Sequence, residues 1–154
     1  MANLIDVCYD DDSYRQVAPE DFVLSYLGEV LKAVGLEDVE FSVSFVEEDN
    51  MHGMNKEYRG IDDSTDILSF AAEDEDPEGI PFVNGDTSER VLGDILICPE
   101  VMERNAKTFE VPVQEELRRL LIHGVLHLSG ENHATNDASE PMLMKQESIL
   151  SQLG

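Results

Sequence analysis

Three of the four histidines in this 154-residue chain fall within eleven positions, as His123, His127 and His133. His123 and His127 stand four apart in the apolar run 120–128. On a helix, four residues advance the axis by about 6 Å and turn only about 40° beyond a full revolution. Both imidazoles therefore leave the same face. Gly130 lets the chain turn out of the helix, and His133 can fold back as a third nitrogen donor. Zinc–nitrogen bonds of roughly 2.0–2.1 Å can span such a pair. Three neutral donors leave a coordination position for water or substrate, as catalytic zinc requires. The expectation is one divalent ion, Zn2+, held by His123, His127 and His133.

Two other readings compete. Single histidines on an apolar helix are commonly hydrogen-bonded core residues, and a structural metal could be closed by Asp94 or Glu131. Closed zinc sites usually take four protein ligands, often cysteines. Here the two cysteines, Cys8 and Cys98, are remote in sequence, and their apolar surroundings predict buried free thiols. In HGVLH, Gly124 follows the first histidine where zinc peptidases of the HExxH type carry glutamate. A glycine cannot accept a proton, so a peptidase of that type is disfavoured and the general base stays unassigned.

Hydrophobic spacing predicts the elements that must hold these residues. Strands are expected at 3–9, 41–46, 65–70 and 91–98. Helices are expected at about 19–34, at 50–58 capped by Asp49, and from Pro99 to about Thr108. Two more are expected at 114–128 and 139–151. The helix over 114–128 carries the histidine pair, and its second half is apolar almost all round, which predicts burial in the domain centre. Residues 71–90 hold acidic residues, two prolines and two glycines, and read as a long acidic surface loop. Four strands with several helices imply a small α+β or α/β domain, expected to be single over 1–154. Strand order is not readable from this pattern.

Asp and Glu number 34 against 10 Lys and Arg, a formal net charge of −24. Such a chain repels polyanions at long range, which argues against a protein that coats DNA or RNA. It leaves room for an enzyme with a local cationic site. The first residues show no basic region followed by a long apolar run, and no stretch approaches 18 consecutive apolar residues, so neither a secretory signal nor a spanning helix is expected. The expectation is a cytoplasmic protein without a membrane partner, and no DNA is expected as substrate.

Two segments, MNKEYRGIDDSTDILSF at 54–70 and HGVLHLSGENH at 123–133, resemble the YbeY-type endoribonucleases, with LGDILIC at 92–98 as a third matching block. That family acts in ribosomal RNA maturation and ribosome quality control. The resemblance implies one compact domain with a mixed four-stranded sheet, one strand antiparallel, surrounded by helices. It also implies that His123, His127 and His133 are the metal ligands and that Arg59, from the YRG triplet, is important in the active cleft. Asn132 stands where the family usually has aspartate, so that negative charge is missing.

The activity expected from the resemblance is zinc-dependent cleavage of phosphodiesters in single-stranded RNA, with Arg59 pairing a nonbridging oxygen. Its expected partners are ribosomal RNA and ribosomal subunits or an associated ribosomal protein. Asp66 and Asp94 are polar within strand-like blocks and are read as structural hydrogen-bonding residues or as ligand-orienting ones. The alternatives are metal-dependent hydrolysis of another bond, including a peptide, and a non-catalytic assembly factor with structural zinc.

Overall fold

The structure, a computed structural model, describes residues 3–71, 90–130 and 140–154. Among these, the elements run β1 (Leu4–Tyr9), a 3-10 turn (Asp12–Gln16), α1 (Glu20–Val34), β2 (Val39–Phe45), α2 (Glu48–Arg59), β3 (Ile67–Ala71), β4 (Arg90–Ile97), α3 (Pro99–Thr108), α4 (Val113–Leu128) and α5 (Pro141–Leu153). The sheet order is β1-β2-β4-β3. β1, β2 and β4 are parallel, and β3 runs antiparallel to β4 at the edge. This is the mixed α+β sheet that the resemblance implied.

β2 shows why the sheet has two unlike faces. Val39, Phe41, Val43 and Phe45 are buried, while Glu40, Ser42 and Ser44 between them are only part-buried. Successive side chains of a strand alternate between faces. The apolar face joins Ile95 and Ile97 of β4 and the buried sides of α1, α4 and α5 in one large core. On the other face a smaller cluster of Val46, Met51, Leu68, Leu96, Cys98 and Val101 seats α2 and α3. What remains of that second face, including Ser42, Ser44 and Asp94, stays polar and accessible. Glu40 pairs with Val91 and Phe41 with Gly93, so Leu92 is an extra residue in β4. This bulge resets the alternation and turns Leu92 into the main core.

Several expectations shift. Cys8 is exposed, because Leu4, Asp6 and Cys8 alternate outward on edge strand β1 while Ile5, Val7 and Tyr9 face inward. Cys98 is buried as expected. Asp49 does not cap α2, for the helix begins at Glu48 with Glu47 as its N-cap, and Asp49 sits in the first turn. There its charge still favours the helix dipole. β3 starts at Ile67, two residues late, and α5 runs to Leu153. Most of the proposed acidic loop, residues 72–89, lies outside the described residues, as do Glu131, Asn132 and His133.

Candidate metal centre and its cleft

α4 is the element that positions the histidine pair. From Leu120 to Leu128 every residue is buried except His123 and His127, which are partly accessible. On an otherwise enclosed stretch of helix, these two rings line a cleft together with Leu120. Their ring centres lie 4.9 Å apart, with planes inclined by 57°. Two imidazoles bound to one zinc ion at roughly 2.0–2.1 Å and a tetrahedral angle have ring centres about 5 Å apart. The pair therefore fits a shared ion. Among the described residues no third histidine, cysteine or carboxylate joins it. The third expected ligand, His133, is outside those residues, as is Glu131, the second residue considered for closing a structural site.

Gly124 lies between the two histidines because α4 crosses β4 closely there. A Cβ at this position would stand 2.6 Å from Ile95 Cδ1 and 3.0 Å from both Cγ atoms. Ile95 is itself fully buried, so it has little room to yield. The base that HExxH peptidases carry at this position is thus sterically excluded here. Gly124→Ala is expected to destabilise the fold by about 1–3 kcal/mol, read as a lower Tm in a thermal melt. An unchanged Tm would mean that α4 does not press on β4 as described.

Around the pair runs a polar chain that the sequence did not reveal. His123 Nδ1 is 2.6 Å from Gln146 Oε1, and Gln146 Nε2 donates to Glu147 Oε2 at 3.1 Å. Arg119 donates to Glu147 from Nε at 2.8 Å and Nη2 at 3.2 Å, to Glu116 at 2.8 Å and to Glu115 at 3.1 Å. Burial pushes the Glu116 carboxyl up, partly offset by Arg119. Burial also acts upward on Glu147, but the bonds from Arg119 and Gln146 outweigh it and hold that carboxyl below its usual value. Three carboxylates, Glu147 first, hold Arg119 firmly charged. One cation shared among three acids has little left to offer a phosphate.

The cleft has a volume of about 1600 Å³. Its walls come from the polar sheet face, β3 and the segment before it, the C-terminal ends of α2 and α3, and the facing sides of α4 and α5. Arg59 lines it from the last turn of α2, where Gly60 closes the helix in the left-handed region (φ 72°). The segment after it is tied down. The buried Asn55 donates to the Asp63 carbonyl at 2.9 Å, Asp62 bonds His52 at 2.6 Å, and Ser64 donates to Glu48 at 2.8 Å. Glu48 also receives two bonds from Arg104 of α3, and Arg104 first, then Ser64, holds its carboxyl down to about 2. Arg59 itself is exposed and makes no hydrogen bond or ion pair among the described residues.

Asp66 and Asp94 also line the cleft. The Asp66 carboxylate accepts from Asn105 at 3.2 Å, and that of Asp94 accepts from Ser42 on the neighbouring strand at 2.5 Å. Both thus have structural bonds, and the amide of Gln146 is the group that meets His123 Nδ1. Among the described residues Asp94 does not come together with the two histidines in a cluster that could hold an ion. Gln146 could have been noticed from sequence as the one polar residue among the apolar positions of the last helix, because a buried amide must find partners.

The family model described as Endoribonuclease YbeY matches residues 8–154. A protein of that name from Treponema denticola is 36% identical over 152 residues, covering 99% of this chain and 94% of the relative. Another from Pelotomaculum thermopropionicum is 41% identical over 126 residues, 81% of this chain and 80% of the relative. The solution structure of TM1509 from Thermotoga maritima superimposes with a TM-score of 0.62 at 28% identity, covering 97% of this chain and 89% of that one.

Proposed function

The chain belongs to the Endoribonuclease YbeY family, and from that premise we propose that it cuts single-stranded RNA in ribosomal RNA maturation and ribosome quality control. The observation that carries this reading is the pairing of His123 with His127 at 4.9 Å in a cleft that Arg59 also lines. His123 and His127, with His133, would hold one divalent ion, and the all-nitrogen donor set suits Zn2+. Such an ion, when bound, supplies Lewis acidity, acidifying water and polarising a phosphoryl oxygen.

The chain's own residues do the rest. Arg59 offers a planar fork of donors to a nonbridging oxygen. Because Arg119 is committed to three carboxylates, Arg59 carries most of the cationic recognition within this cleft. Tyr58, next to it, is 61% exposed and meets Phe70 edge to face at 5.3 Å; both rings line the cleft. An open aromatic ring stacks unpaired bases and finds no such surface on a duplex. Stacking is also indifferent to the net charge of −24, which opposes long-range attraction to RNA. Productive encounter in cells then relies on a ribosomal subunit or an associated ribosomal protein, and the cytoplasm is the compartment this reading requires.

The test is cleavage of matched single-stranded RNA, duplex RNA and peptide by zinc-loaded protein. Preferential cutting of the single strand is expected, slow in the absence of ribosomal partners. A 2′,3′-cyclic phosphate on the product would identify the RNA's own 2′-hydroxyl as nucleophile, whereas cleavage that persists with a 2′-deoxynucleotide at the cut site would identify water. Cleavage of the peptide alone would overturn the proposal in favour of a different hydrolase.

A further inference from the structure

The chain of bonds behind the histidine pair fixes more than position. A carboxylate can only accept, so the bond to Glu147 means that the Gln146 NH2 group faces it. Arg119 holds Glu147 in place with two bonds, which prevents that carboxylate from turning away. The amide oxygen of Gln146 is then left facing His123 Nδ1 at 2.6 Å. An oxygen that only accepts requires a proton on that nitrogen. Gln146 is 6% exposed and lies among the buried Met142, Ile149 and Leu150, so solvent is poorly placed to reverse the arrangement.

We infer that Gln146 is a positioning residue that fixes His123 in its Nδ1–H tautomer, leaving the unprotonated Nε2 as its metal-ligating atom. The direction of this bond is set from Arg119 through Glu147 and Gln146. The acidic cluster on α4 and α5 thereby acts on the histidine without touching the ion. Outer partners of ligating histidines orient the ring and raise its basicity as a donor, and their loss costs about 10–100-fold in metal affinity. The inference rests on the metal reading above, but the tautomer can be read in the metal-free protein.

The test is long-range 1H–15N correlation of the imidazoles in the metal-free full chain, together with zinc affinity from chelator competition. Wild type is expected to show His123 protonated at Nδ1 and unprotonated at Nε2. Gln146→Met, which keeps the volume but removes the acceptor, should shift His123 toward the Nε2–H form common in water and weaken zinc binding about 10–100-fold. The Gln146→Glu/Glu147→Gln double variant exchanges the two groups, returns an acceptor to His123, and should restore the Nδ1–H form. Wild-type protein with His123 protonated at Nε2 alone would overturn the inference, even if the Met variant failed to fold. Unaltered tautomer and zinc affinity in a folded Gln146→Met protein would overturn it too. Neither result touches the RNA assignment, which fails instead if zinc-loaded wild type leaves RNA uncut.

Discussion

His127→Ala is expected to lose bound zinc and RNA cleavage together while remaining folded. Loss of an outer partner already costs about 10–100-fold in metal affinity, so loss of a direct donor should cost more than about 100-fold. The fold should survive because the core around α4 is apolar and continuous. Leu117, Leu121, Ile122, Val125 and Leu126 are fully buried, whereas the two histidines sit at its open edge. Metal content by elemental analysis, RNA turnover and a thermal melt on the same preparation check this. The assembly-factor alternative predicts something different: a structural zinc would make chelation or His127→Ala unfold the protein. If turnover survives when zinc is gone, the histidine pair is not the reaction centre.

Arg59→Ala should separate catalysis from metal binding. Removing a donor aimed at developing charge commonly costs about 10²–10³ in kcat. Zinc content and Tm should stay close to wild type, since Arg59 is exposed and makes no bond among the described residues. Arg59→Lys should fall between the two, because an ammonium supplies charge without the two-pronged geometry. A rise in KM with kcat unchanged would mean that Arg59 binds substrate and transition state equally. Unchanged kcat/KM in Arg59→Ala would remove it from the site.

The most legible features of the sequence were local. Pro99 and Thr108 bound α3, Gly35 and Gly60 end their helices at positive φ, and the enclosed second half of α4 follows from its apolar residues. The histidine pair belongs with these, because helical spacing alone puts His123 and His127 on one side. Sheet order was not legible, since β4 inserts between β2 and β3 through pairings remote in sequence that leave no local trace. The exposure of Cys8 was not legible either, since an apolar strand at a sheet edge still has an outer side. The base that Gly124 lacks is plain from its place in HGVLH, while the cause, Ile95, lies in another element. Gln146 leaves no local sign of its role, since its partner His123 is 23 residues away. The Arg119 cluster likewise needs α4 and α5 side by side before its charges meet.

The most direct measurement is zinc X-ray absorption of the loaded protein, compared with His133→Ala and His127→Ala. Wild type should show only nitrogen and oxygen neighbours at roughly 2.0–2.1 Å, with outer scattering from three imidazoles, and each variant should show one imidazole fewer or no zinc. A sulfur neighbour near 2.3 Å, or outer scattering that neither substitution changes, would contradict a centre built on His123, His127 and His133.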